Sequence, residues 1–589
     1  MSIWKPIGGD EGGGRWVGHD ASNRFPVYTR GNAGEVYPEV FTPLSFSVAA
    51  DASEKAMRAA ILHSGLIRPS ELEGTPLTTA VGSGVFGGYA YLNLSIQRLA
   101  AARTPGGKAT DADVNYLGTG DPPPHEPLAG ERNRRATLAG LRYLWRTSRV
   151  TELPALAADQ RMVEAYLAEV PDVATAGDAE LRTSIDDLIP MFTDLFERHL
   201  IVSFDAGIMV AVLTSLCGQL LDDEKLVVPL LTGLGDVDSA APSVALWQLS
   251  RLARETPSVA AAFDAGTHGT LLERLSADPE AERFLAGFDT FVADFGCRGP
   301  NEWDTAFDTW ETDPTLALTL VDNMRSAGDD ADPTRQQQRL AAEAAQAEED
   351  AVARLPRPSR RIFRRVLAAA RLYSRSRERT KTTVIRAIHG ARLQAMELDR
   401  RLAARSGGER GDLWFLIEAE VDDYLADPAA LADTIAERRE QHRLLSERWP
   451  PFFFSGSQPP IEEWELRESE RPPLPVGEAL TGLPGCPGTA TGRARVITDP
   501  TDAAGVGPGD VLVAPLTDPA WTPLFVPAAA VVVDVGATMS HAVIVSRELG
   551  IPCVVSATDA TKRIADGALV EVDGTAGTVT LVEEAPAPS

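Results

Sequence analysis

Apolar residues recur at every third and fourth position through most of the first 455 residues of this chain. Over the last hundred they fall at every second position or in short unbroken runs. The first pattern predicts amphipathic helices, the second half-buried or fully buried strands. The stretch from Ala179 to Leu221 keeps helical spacing throughout, and breakers at Thr104-Pro-Gly-Gly, Asp121-Pro-Pro-Pro and Arg357-Pro-Ser separate the helices. Residues 1 to about 50 are richer in Gly, Asn and Pro and read as loop. Past Arg467 the run ESERPPLPVGEALTGLPGCPG has no period and reads as a semi-rigid linker. Beyond it, RARVIT, DVLVAP, AAVVVDV, PCVVS, ALVEVD and TVTLV predict strands, and SHAVIVSREL predicts a helix capped by Ser540 and stopped at Gly550. The chain is therefore predicted to be multidomain. A large, mostly α-helical domain spans 1–466, a linker 467–481, and a small α/β domain 482–589.

Composition agrees with this division. A chain of 589 residues is too long for one hydrophobic core, and 44% hydrophobic residues excludes disorder as a class. The net charge of −28 argues against non-specific coating of nucleic acid or anionic membranes. The four cysteines are far apart with no CxxC pair, so neither a thiolate metal site nor a disulfide framework is expected. No apolar leader opens the sequence and no run of about 18 apolar residues stands out. The expectation is a cytoplasmic protein with no metal, no nucleic acid and no membrane partner.

Of eight histidines, His19, His63, His125, His199, His268 and His442 sit in ordinary helix or loop context. His541 differs. It follows an apolar strand and a small-residue turn, and it opens a helix. Unpaired backbone N–H groups and the positive end of the helix dipole lie at such a turn, where they would hold an anion attached to the ring. A neutral imidazole is also a competent nucleophile near neutral pH. On these features alone His541 is either a phosphoryl carrier or a residue that simply begins the helix.

The segment GATMSHAVIVSRELGIPCVV resembles the phosphohistidine segment of the phosphoenolpyruvate-utilising enzymes. CPGTATGRARVI, PGDVLVAPLTDPAWTPLF and VEVDGTAGTV resemble further pieces of the same swivelling domain, in the same order, over about 482–582. The resemblance implies that His541 carries a phosphoryl group, with Thr538 and Ser540 in the phosphate-binding turn. The chain departs from the pattern at Ala537, Met539 and Cys486, where glycine, threonine and serine are usual. In the helical part, YTRGNAGEVYPEVFTPLS (28–45), FGCRGPNEWDTAFDTWETDP (295–314) and DLWFLIEAEVDDYL (412–425) resemble the antibiotic-binding domain of rifampicin phosphotransferases. The 1–466 domain is thereby implied to bind the acceptor. The opening segment begins near Trp16, which leaves no room for the ATP-grasp domain of those enzymes, and no GxxxxGK[ST] loop occurs. This order resembles the larger subunit of phenylphosphate synthase. ATP and Mg are then expected on a separate ATP-grasp subunit, with no cofactor bound directly by this chain.

Residues 354 to 410 carry a local charge of +13. If Arg361 to Leu402 is one helix, Arg371, Arg375 and Arg379 share a face with Arg364, Arg386 and His389. That face either pairs with acidic neighbours or forms a phosphate-binding wall. Arg298 and Glu302 are a second candidate set, as catalytic groups or as a local ion pair. Arg30 and Glu35 admit the same two readings for substrate binding. The expected activity is a dikinase-type phosphotransferase that delivers a phosphoryl group from His541 to a hydroxyl of a small organic, aromatic or polycyclic acceptor. The alternative is a non-catalytic ligand-binding or regulatory protein with a vestigial phosphohistidine domain.

Overall fold

The computed structural model describes residues 18–116, 123–128, 130–235, 238, 241–499, 505–537 and 540–586. In chain order, the elements that matter below begin with strand β1 (Val27–Thr29), helix α1 (Pro43–His63) and the hairpin β2 (Ser83–Phe86) and β3 (Tyr89–Asn93). Helices α2 (Asp178–Leu221), α3 (Ala241–Glu255), α4 (Glu282–Phe295), α5 (Pro314–Arg325), α6 (Pro333–Arg354) and α7 (Arg357–Ser406) follow. After strand β4 (Phe453–Ser455) come β5 (Ala479–Thr481), β6 (Leu483–Cys486), β7 (Thr489–Val496), β8 (Val511–Ala514) and β9 (Ala530–Val533). Helix α8 (His541–Leu549) and strands β10 (Cys553–Val555), β11 (Leu569–Asp573) and β12 (Thr578–Glu583) close the set.

These elements form two compact units. One holds residues 1–206, 303–306 and 379–469, the other 207–302, 307–378 and 470–589. The block expected as one helical domain, 1–466, thus contributes to both. The linker region is shared as well. Arg467 pairs with Glu39 in the first unit, whereas Leu474 donates its N–H to the Arg563 carbonyl and Gly477 to that of Leu581 in the second.

The first unit is helical around a small antiparallel sheet ordered β2-β3-β1-β4. The helical spacing of its surroundings hides this sheet in the sequence. Its hairpin turns on Gly87 and Gly88, with φ of 55° and 77°, a left-handed pair that glycine adopts without steric cost. Tyr28, Phe86, Tyr91 and Phe454 stack over it, with Tyr28 and Phe86 ring centres 4.7 Å apart.

Helix α2 contains the one apolar stretch among the described residues that is long enough to cross a membrane by length and composition. That stretch was not evident as an unbroken run, because single polar residues punctuate it. Two of them have partners: His199 meets Thr380 at 3.0 Å and Asp205 accepts from the Tyr143 hydroxyl. Leu195, Met209, Leu213 and Cys217 are buried. Much of the rest of the stretch is only half-buried.

In the second unit, eight strands form one sheet ordered β6-β10-β9-β8-β7-β11-β12-β5. Its centre, β7 through β10, is parallel, and the remaining pairings are antiparallel. The all-apolar β8 and β9 are buried on both faces, as parallel central strands require. One apolar cluster runs without interruption from α3, α4 and α5 to the sheet and α8. It includes Trp247, Phe291, Trp310, Trp521, Phe525, Val533 and Val543.

Candidate phosphohistidine site

The turn that presents His541 is built by the end of a central parallel strand, a usual place for ligand sites in such sheets. Strand β9 ends at Val533, and the chain must turn tightly to begin α8. A Cβ on Gly536 would lie 3.0 Å from Val555 Cβ and 3.3 Å from Ser540 Oγ. Ser540 has the extended backbone of an N-cap, but its side chain does not cap the helix. Its buried hydroxyl has no hydrogen-bond partner among the described residues. That leaves a spare donor beside the first turn of α8, whose backbone N–H groups have no partner within the helix. Thr538 and Met539 lie outside the described residues.

His541 is buried, and two hydroxyls hold its ring. Thr517 Oγ1 lies 3.2 Å from Nδ1 and Thr522 Oγ1 3.1 Å from Nε2, with the Phe525 ring edge-on to the imidazole. Both threonines belong to the run TDPAWTP. Between them, Asp518 Oδ1 accepts from the Ala520 amide at 2.8 Å and so fixes the turn that carries Thr522. Its other oxygen accepts the Asn301 N–H at 3.2 Å, from the loop that bears Arg298 and Glu302. Asn301 is held at φ 53°, a strained backbone for a residue with a side chain.

Arg298 and Glu302 form a buried two-pronged pair, Nε to Oε2 at 2.6 Å and Nη2 to Oε1 at 3.1 Å. Burial works against the Arg298 charge, but Glu302 foremost, then Cys297 and Glu378, hold its guanidinium above the usual arginine range. Glu378, on α7, was not singled out in the sequence, where it is one acid in a basic helix. Thr517, Asp518, Asn301 and Thr522 were likewise not named. Their spacing gives no sign of the contact, since Asn301 and Asp518 are 217 residues apart. The loop depends on Gly299, where a Cβ would meet the Asp308 carbonyl oxygen and Thr309 Cα at 2.8 Å. Gly299→Ala is expected to cost about 1–3 kcal/mol in chemical unfolding, through overpacking against backbone.

The arginines of α7 have local partners. Arg371 pairs with Glu348 at 2.6 Å and donates to the Leu230 carbonyl at 3.1 Å. Arg375 is half-buried near Glu548, and Arg379 is half-buried on the first unit's part of the helix. None of the three lines the narrow apolar cleft of the first unit, formed by residues such as Leu44, Val48, Phe192, Trp303 and Ile388. The buried indole N–H of Trp303, at that cleft, has no hydrogen-bond partner among the described residues. Arg30 gives its guanidinium to the carbonyls of Ala90 and Pro38 and lies over the Tyr89 ring at 4.9 Å. Glu35 is half-buried in the short turn Ala33–Val36. Among the described residues no group of three or more His, Cys, Asp or Glu side chains is placed to hold a metal ion.

Residues 506–577, which hold Thr517, Thr522 and His541, match the profile of the PEP-utilising enzyme mobile domain. The chain carries the mobile domain of the PEP-utilising enzymes. Residues 199–378 match the fourth domain of rifampicin phosphotransferase. This match starts within α2 and ends at Glu378, close to the helical part of the second unit. Along nearly its whole length the chain is 26% identical to the prodigiosin synthesizing transferase PigC of Serratia marcescens, covering 96% of this chain and 64% of that one. It is 29% identical to the rifampicin phosphotransferase of Streptomyces sviceus, over 60% of this chain and 40% of that one. Over 120 residues the chain is 48% identical to phosphoenolpyruvate synthase of Aeropyrum pernix, covering 20% of this chain and 15% of that one. The chain spans 64% of the length of the first curated relatives that it matches.

Proposed function

We propose that this PEP-utilising phosphotransferase relative carries a phosphoryl group on His541 and delivers it to a hydroxyl of a small organic acceptor. The observation that carries the reading is the imidazole clamped between Thr517 and Thr522 at the head of α8, with the spare Ser540 hydroxyl beside it. In the charging step a ring nitrogen attacks the phosphorus of the donor, a P–N bond forms and the donor's P–O bond breaks. In delivery the acceptor hydroxyl oxygen attacks phosphorus, the P–N bond breaks, its electron pair returns to the ring, and the hydroxyl proton passes to the freed ring nitrogen. Positioning and charge stabilisation do most of such work. The free Ser540 donor and the first-turn amides suit the anionic group in both steps.

The donor in this reading is an ATP-grasp protein on a separate polypeptide, which supplies ATP and Mg. The acceptor that the apolar cleft of the first unit favours is an aromatic or polycyclic hydroxyl compound, with Trp303 offering its N–H. With an ATP-grasp partner and labelled ATP, the chain is expected to gain an acid-labile, base-stable phosphate. His541→Ala should remove it entirely. Label that persists in this variant overturns the assignment.

A further inference from the structure

The end of α8 away from His541 is held by contacts of its own. Leu549 gives its carbonyl to Gln336 Nε2 of α6 at 2.6 Å. Gly550 ends α8 with φ 62°, and a Cβ there would lie 2.7 Å from the same Gln336 nitrogen. Between these contacts and the His541 end sits Glu548. It is 5% exposed, and Oε1 accepts the Leu234 N–H at 3.5 Å. Oε2 is buried with no hydrogen-bond partner among the described residues. An ionised carboxylate with a bare buried oxygen is costly, whereas a neutral carboxylic acid is far less so.

We propose that Glu548 is a positioning residue for the phosphohistidine helix: its carboxyl group enters the seat formed by Leu234, α6 and α7 in the protonated form, so that seating α8 takes up one proton from solvent. The role as a positioning residue rests on the reading of His541 as the phosphoryl carrier. The seat itself does not.

The charged surroundings agree. Glu378 and Arg375 face Glu548 from α7, Gln336 approaches from α6, and the 231–235 segment supplies only a backbone amide. On its own helix, the neighbouring Arg547 gives Nε to the Gly485 carbonyl. Burial, foremost, raises the Glu548 carboxyl, the Leu234 amide lowers it, Glu378 raises it and Arg375 lowers it, leaving it at about 7. An unseated, solvated glutamate titrates near 4.5. The seated state therefore binds more protons. Seating is strongest below the solvated value, weakens as pH rises from there to about 7, and levels off above. The full span is on the order of a hundredfold in the seating equilibrium.

Small-angle scattering and amide exchange at Leu234 on the purified chain, at about pH 5.5 and about pH 8, test this. Wild type should be compact and protected at the lower pH, and more expanded and less protected at the higher. Glu548→Gln, a neutral isostere, should stay compact at both. Gln336→Ala should loosen the seat at both values and keep the pH dependence, which guards against a folding defect in the first variant. A wild type insensitive to pH, or a Glu548→Gln variant that follows wild type, overturns the proposal. None of these readouts involves phosphorylation, so failure of the His541 assignment and failure of the proton-coupled seat are separately visible.

Discussion

Arg298→Ala should lower the unfolding free energy by ~3–5 kcal/mol, the cost of leaving one member of a buried ion pair alone. Arg298 is 3% and Glu302 1% exposed, so the abandoned carboxylate finds no water. Glu378, which also lies near Arg377, adds a second acidic neighbour that loses part of its compensating charge. Denaturant unfolding measures the loss. The double change Arg298→Met with Glu302→Leu should recover most of it, because well-packed apolar replacements of buried pairs are often neutral. That double variant also separates the two roles open to the pair. A stable protein that no longer passes phosphoryl groups to acceptor makes Arg298 catalytic. Normal transfer makes the pair a clamp for the 298–304 loop. Wild-type stability in Arg298→Ala refutes the burial argument itself.

Asp534→Asn is expected to stabilise the protein by ~2–4 kcal/mol above about pH 7 and by little near pH 4. Asp534 follows β9 and is half-buried. Its carboxyl accepts the Thr561 N–H at 2.9 Å and the Thr561 hydroxyl. Burial is the main cause that pushes it up to about 7, opposed by the Thr561 bonds and assisted by Asp559. The folded state thus holds a proton that the unfolded chain releases near 3.8. Stability from this group is complete below that value and is lost as pH rises towards 7. Asparagine keeps both contacts to Thr561 without a charge. Thermal unfolding across that range should show the gap between variant and wild type widening with pH. A constant gap removes Asp534 as its source.

The short α/β part was the more legible half of the chain. Gly550 and the β-branched runs of β8 to β10 act locally, through left-handed backbone and double-sided burial, so sequence alone carries them, whereas Ser540 marks the start of α8 without its hydroxyl capping it. The Gly87-Gly88 hairpin was also written locally, but it lay inside a region of helical spacing. The surroundings of His541 depend on distant partners. Nothing near Asn301 says that its amide meets Asp518, and nothing in the basic stretch of α7 marks Glu378 as the acid that faces Arg298. The arginine face of α7 shows the same limit. Its charge is plain in the sequence, but its meaning depends on whether an acid such as Glu348 stands opposite. The division at 206/207 and 378/379 is invisible locally too, because it falls within the unbroken helices α2 and α7.

The apolar cluster shared by the sheet and helices α3 to α5 has a thermal consequence. Trp521, Leu524 and Phe525 are at most 3% exposed in this seat. A mobile domain that leaves it wets that surface, and newly wetted apolar surface raises heat capacity. Apolar contact of this kind weakens on cooling. Departure of the domain should therefore absorb heat increasingly as temperature rises, and the seat should hold more loosely in the cold than near the temperature at which its apolar grip is greatest.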